Sequence, residues 1–174
     1  KSNRLLGFLR RNLKHSPKSL KDTAYKSLVR SNLEYCSTIW DPHYAKDVKQ
    51  LEQVQRRGAR FVHRDYSRQS SVSSMISDLG WEDLQSRRKN ARLTLMHKIV
   101  TGSVKVDSSK YLTKGYSRTR SNNSSKFQQL KASTPAYSNS FFVRTIPEWN
   151  QLPDTTVNAK DSKAFRDCLR RSQD

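Results

Sequence analysis

The 174 residues carry 34 Lys+Arg against 15 Asp+Glu, a formal net charge of +19, and 33% of them are hydrophobic. That is a length for one domain with or without a tail, and a composition for a modest core. No apolar run exceeds three residues, two cysteines cannot frame a disulfide scaffold, and five scattered glycines leave no phosphate-cradling loop, which weighs against membrane-spanning, secreted and nucleotide-hydrolysing classes.

Leu5, Phe8 or Leu9, and Leu13 recur at helical spacing with Arg10, Arg11 and Lys14 between them, which predicts a helix over 3–14. Ser16-Pro17 then reads as an N-cap followed by proline at the first helical position. The next helix carries Leu20, Ala24, Leu28, Leu33, Cys36 and Trp40, with a bend near Ser31-Asn32 and a stop at Asp41-Pro42. Cys36 reads as a small core residue and His43 as a surface one. A third helix, over 45–64, places Val48, Leu51, Val54, Gln55, Gly58, Phe61 and Val62 on one broad arc. Opposite it lie Arg57, Arg60 and Arg64, with Arg56 beside them and no acid interleaved. Guanidinium groups so aligned can follow one strand of phosphates as bidentate donors; the bland alternative is a solvated face.

A short helix from Ser71 to Leu79 closes at Gly80, and a longer one opens at Trp81-Glu82-Asp83-Leu84 and runs to Val100, with Gly102 as its stop. Leu84, Ala91, Leu95 and Ile99 share a face, whereas Arg87, Arg88, Lys89 and Arg92 wrap around the helix. Val104-Lys105-Val106 suits a short extended piece, and the Ser-, Asn-, Thr- and Lys-rich stretch 107–139, with the low-complexity patch 121–125, reads as a flexible linker. Order returns over Ser140–Pro153, rich in aromatics, and a closing amphipathic helix at 161–171 presents Phe165, Cys168 and Leu169. Trp40, Trp81 and Trp149 each sit at an element boundary beside apolar residues. That reads as core anchoring, with base stacking the alternative.

Residues 1–64 hold 15 basic and 5 acidic side chains, whereas 148–174 are balanced at 5 and 5. A field of that sign attracts polyanions, of which nucleic acid is the commonest. The histidines and cysteines show no metal-site spacing, so no metal or other cofactor is expected in this chain. Glu82 and Asp83, the one adjacent acid pair, are explained by a helix dipole. No nucleophile, base and orienting group can be assembled, so the chain on its own is not read as an enzyme. It opens on Lys1 without an apolar leader and reads as a piece of something longer.

Four strings then stand together: Leu6-Gly7-Phe8-Leu9-Arg10-Arg11-Asn12-Leu13; Ala24-Tyr25-Lys26-Ser27-Leu28-Val29-Arg30 leading to Leu33-Glu34-Tyr35-Cys36; Val54-Gln55-Arg56-Arg57-Gly58-Ala59-Arg60-Phe61; and Ser140 to Pro153. In order and spacing they resemble the C-terminal part of reverse transcriptases (RNA-directed DNA polymerases) from non-LTR retrotransposons, in particular jockey-like LINE elements. The resemblance covers essentially the whole chain. It implies that the catalytic palm, with its acidic motif and Mg2+, lies upstream of Leu6, and that this chain holds the helical thumb domain and C-terminal extension. A thumb of this kind grips the template–primer duplex by its backbone. Arg56, Arg57 and Arg60 match the family's paired-Arg string, and Arg10 and Arg11 its first basic string; their gripping role is inferred from face geometry. Ser31, Gly58 and Val143 stand where the family has Pro, Ala and Pro, departures that suggest a decaying copy of a mobile element.

The expectation is therefore an all-α fold: a small thumb-like helical bundle over 1–102, a flexible basic linker over 103–139, and a C-terminal aromatic segment and helix over 140–174. The nucleic-acid-binding candidates are Arg56, Arg57, Arg60, Arg64, Arg10, Arg11, Lys14, Arg87 and Arg88. The expected partners are an RNA template–DNA primer duplex and the upstream palm, with no membrane, inside the cell and in the nucleus when functional. The rival readings are a basic interaction module that docks an acidic protein through Ser140–Pro153, and a relic without function.

Overall fold

Helices carry the fold, and among the described residues of the computed structural model, 1–115 and 125–171, the nearest thing to a sheet is an isolated antiparallel bridge between Lys114 and Phe127. The class is all-α, as expected. Two compact units form, Lys1–Arg88 and Lys89–Asp174, so the division falls inside a helix and not at 102/103.

In the first unit, α1 (Ser2–Asn12) buries Leu6 and Leu9. α2 (Lys18–Ala24) starts one residue later than the proline rule suggests, because Pro17 itself takes the N-cap, with φ −63° and ψ 157°; no side chain caps the helix. α2 runs directly into a π-helical stretch, Tyr25–Arg30, and on into α3 (Ser31–Glu34). Tyr25, Val29 and Leu33 are spaced by four, which drifts around a 3.6-residue helix; the wider turn keeps all three buried. At Ser31-Asn32, where a bend is expected, the chain stays helical, and the irregularity is the π-helical stretch before it. The helix does not continue to Trp40: Cys36 takes a left-handed φ of 51°, turns the chain into α4 (Ser37–Trp40), and is exposed instead of lying in the core.

α5 (Ala45–His63) lies at the centre of this unit, its inner face formed by Val54, Gln55, Gly58, Ala59, Phe61 and Val62. It ends at Arg64, left-handed at φ 55°. α6 (Val72–Asp78) is capped by the Ser71 hydroxyl, which accepts the Ser74 N–H at 3.3 Å, and closes with Gly80 at φ 58° and the Trp81 N–H on the Ile76 carbonyl at 3.1 Å. At the middle of the core the Tyr25 ring stacks on Trp81, centroids 4.4 Å apart, and the Trp81 Nε1–H donates to Asp22 Oδ1 at 2.9 Å. The face of Tyr25 lies against Gly58, where a Cβ would fall 2.4 Å from its Cε2 atom. Gly58 is therefore a packing requirement of this core.

α7 (Leu84–Val100) crosses the division. The second unit adds α8 (Pro135–Ser138), α9 (Phe141–Asn150), α10 (Asp154–Val157) and α11 (Ser162–Arg171). Leu93, Met96, Ile146, Trp149, Val157, Phe165 and Leu169 form its core. The buried His97 ring stacks on Phe165 at 4.5 Å, with Nε2 at 3.1 Å from the Ala159 carbonyl. Much of the expected linker belongs to this unit. Leu112, Phe127 and Leu130 pack on the core, the Asn150 side chain exchanges two hydrogen bonds with the Phe127 backbone (3.0 and 2.8 Å), and the Trp149 Nε1–H donates to the Ser125 carbonyl at 3.1 Å. The part of the linker at 116–124, most of the low-complexity patch included, lies outside the described residues.

Gly58→Ala gains about 1 kcal/mol of helix propensity but overpacks the Tyr25 ring, at about 1–3 kcal/mol. A net loss of stability is expected in urea unfolding followed by circular dichroism; a rise in the midpoint would refute the packing account. In the second unit Asp161 Oδ1 accepts the backbone N–H groups of Lys163 and Ala164, at 2.8 Å each, which holds its carboxylate below the usual range. A folded pKa below the unfolded one gives stability that is present above about pH 4 and lost as the pH falls further. Wild type should therefore unfold at higher urea than Asp161→Ala at pH 6, and the gap should narrow progressively as the pH falls below about 4.

Candidate nucleic-acid interface

On the outer side of α5, Lys46, Lys49, Gln50, Gln53, Arg56, Arg57 and Arg60 share about a third of the helix circumference at 3.6 residues per turn. All are exposed except the half-buried Arg60. The face continues onto α1. Arg57 Nη1 donates to Asn3 Oδ1 at 3.2 Å, across 54 residues of chain, and the Arg10 guanidinium sits over the Tyr66 ring, 4.5 Å from its centroid, in the loop that follows α5. A groove of about 460 Å³ opens between the two helices, floored by Leu33, Leu51 and Val54, edged by Lys1, Gln50, Gln53 and Arg57, and lined by no acid.

Arg56, Arg57, Arg10, Arg11 and Lys14 all lie exposed on α5, on α1 or just past its end. Arg60 is committed locally, its Nη1 donating to the Ser67 carbonyl at 2.7 Å and closing the loop after α5. Arg64 is exposed, but as the left-handed end of α5 it leaves the helical stripe. The structure removes two candidates. Arg87 clasps Glu34 with two hydrogen bonds and lies 3.7 Å from Glu82; the Glu34 bond raises its pKa against the opposing effect of burial. Arg88 donates from Nε to Asp41 Oδ1 at 2.8 Å with 1% of its side chain exposed. Neither can follow a phosphate strand. Alternation along the helix hides this in the sequence, because both partners come from around α3 and α4, 53 and 47 residues away.

The carboxylates are spent inward in the same way. Asp22 pairs with Lys26 at 2.7 Å, Glu148 with Arg92 at 2.6 Å, and Glu52, on the flank of α5, accepts the Gln85 N–H at 3.0 Å while burial lifts its pKa. Among the described residues no carboxylate pairs with Lys46, Lys49, Arg56 or Arg57. Lys46, Lys49, Gln50 and Gln53 escaped the sequence reading because two amides interrupt the charge, although their spacing of three and four from the arginines carried the signal. The second unit hides a similar set: Lys163, Arg166 and Arg170 are exposed on α11, in a stretch whose balanced composition gave no sign of it.

Among the described residues no group of three or more His, Cys, Asp or Glu side chains could hold a metal ion, and no helix is long and apolar enough to cross a membrane. Comparison with protein-family models, with curated proteins and with solved structures finds no match to this chain.

Breaking a buried ion pair by removing one partner costs about 3–5 kcal/mol. Arg88→Ala should therefore cost about that much in thermal or urea unfolding, whereas Arg56→Gln should stay within about 0.5 kcal/mol of wild type, as exposed substitutions do. Equal stability of the two variants would remove the distinction between inward and outward arginines.

Proposed function

We propose that the chain binds the backbone of nucleic acid without regard to sequence and grips an RNA template–DNA primer duplex, as the thumb and tail of a non-LTR retrotransposon reverse transcriptase. One observation carries the reading. The α5 face presents four cations, Lys46, Lys49, Arg56 and Arg57, that no carboxylate among the described residues neutralises, and Arg57 ties that face to the basic surface of α1. Arginine forks and lysines contact phosphate, and the Gln50 and Gln53 amides add donors that position without reading bases. From Lys46 to Arg57 the helix rises about 16 Å, a span of about five phosphates along one strand. The partner's identity rests on the family resemblance. Catalysis belongs to the upstream palm with its Mg2+, in the nucleus, and this chain supplies grip.

The rival reading, docking of an acidic protein through Ser140–Pro153, would have to use the half-buried Phe141 and Phe142, since Ile146 and Trp149 of that segment are fully buried in the second core.

The test is fluorescence anisotropy with a blunt RNA–DNA duplex over a range of salt. With about four phosphates neutralised, log K should fall with log salt at a slope of about −4, and duplexes of different sequence should bind alike. Arg56→Gln with Arg57→Gln should make the slope shallower by about 2. Affinity that stays flat with salt, or a double variant that binds as wild type does, would refute the proposal.

A further inference from the structure

The three tryptophans part company in the structure. Trp81 and Trp149 are core residues, 5% and 0% exposed, whereas Trp40 is 40% exposed. It is not alone: Tyr35, Ile39 and Tyr44 are 76%, 84% and 63% exposed, so four large apolar side chains face solvent within ten residues. Two of them, Trp40 and Tyr44, are held in place. The left-handed turn at Cys36 buries Ser37 and turns Ile39 and Trp40 outward. The Trp40 Nε1–H donates to the Tyr35 carbonyl at 2.6 Å, which fixes the indole by its polar edge, and the Tyr44 ring lies 4.0 Å from that of His43. An unfilled apolar cluster of this kind marks a binding surface.

The surrounding charge says what it takes. Tyr44 is the N-cap of α5, so the rings lead directly into the face that begins with Lys46 and Lys49. The nearby acids Glu34 and Asp41 are neutralised by Arg87 and Arg88, leaving Asp47 as the one exposed carboxylate between Tyr35 and Lys49. Flat rings beside unpaired cations suit a flat apolar group that carries negative charge, which is a nucleotide with its base unstacked.

We infer that Trp40, with Tyr35 and Tyr44, is a stacking platform for unpaired bases at the end of the duplex held by α5, so that the chain recognises a duplex–single-strand junction. The inference rests on the reading of α5 as the phosphate-contacting face. Tyr44 lies 12 and 13 residues before Arg56 and Arg57, about 18–20 Å of helix, so the single strand begins about six base steps from the phosphates those arginines hold.

The experiment compares a blunt RNA–DNA duplex with the same duplex bearing an eight-nucleotide single-stranded overhang at either end. It uses the full chain, read by anisotropy and by intrinsic tryptophan fluorescence. The overhang should bind about tenfold more tightly than the blunt duplex and quench fluorescence, and because Trp81 and Trp149 are buried the quenching reports Trp40. In Trp40→Ala the ratio of the two affinities should fall towards one, and Trp40→Phe, which keeps a ring, should recover part of it. Taking the ratio within each protein cancels any shared loss from altered folding. Equal binding of the two substrates by wild type, or an overhang preference that survives Trp40→Ala, overturns the inference and leaves the α5 reading standing. Failure of wild type to bind either substrate overturns both.

Discussion

Asp41 meets Arg88 at 2.8 Å with almost no exposure, Glu34 clasps Arg87, and Glu148 holds Arg92 at 2.6 Å. A chain with 15 acids and 34 Lys+Arg has few counter-charges to allocate, and these sit where arginines are buried or half-buried. A guanidinium taken out of water must find a carboxylate, and a pair broken there costs far more than an exposed one returns. Among the described residues no carboxylate is then left to neutralise the outer cations Lys46, Lys49, Arg56 and Arg57 of α5, which repel one another, and a polyanion would relieve that repulsion. The basic surface is what remains after the interior has been neutralised.

The same interior sets the direction of that surface. Tyr25 reaches the backbone of α5 because position 58 has no Cβ, and its other side stacks on Trp81, which in turn is held by Asp22. With the inner face of α5 fixed by this contact, helical periodicity leaves Lys49, Arg56 and Arg57 facing outward. Glycine at 58, where the resembled reverse transcriptases carry alanine, thus has a packing role here. Ser31 lies within a continuous helix, its hydroxyl bonded to the Ser27 carbonyl, a place where proline would lose its backbone N–H donor. Nothing in the structure explains Val143.

The aromatic residues divide by the same logic of burial and partner. Trp81 and Trp149 lie in the two cores, and each indole N–H finds an acceptor, on Asp22 and on the Ser125 carbonyl. Trp40 also satisfies its N–H, on the Tyr35 carbonyl, yet keeps its ring in water. Apolar area left exposed on a fixed ring beside cations is recognition chemistry, and it links the two proposed parts of one surface, phosphate grip along α5 and base stacking at its start.

Local rules determined much of this protein. A period of 3.6 residues is written in neighbouring side chains, so α1, α5, α6, α7 and α11 were legible, as were the buried face of α5, its opposing arginines, and glycine stops at 80 and 102. What the sequence could not decide is which charges and rings meet across distance. Arg88 looks no different from Arg56 until Asp41, 47 residues away, is folded against it. Cys36 fits a helical face until a left-handed turn exposes it, and a Ser- and Asn-rich stretch reads as linker until Asn150 hydrogen-bonds the Phe127 backbone 23 residues back. Periodicity is a property of one element, whereas desolvation depends on everything packed around a group. Which arginines stay in water was therefore decided by the tertiary structure alone.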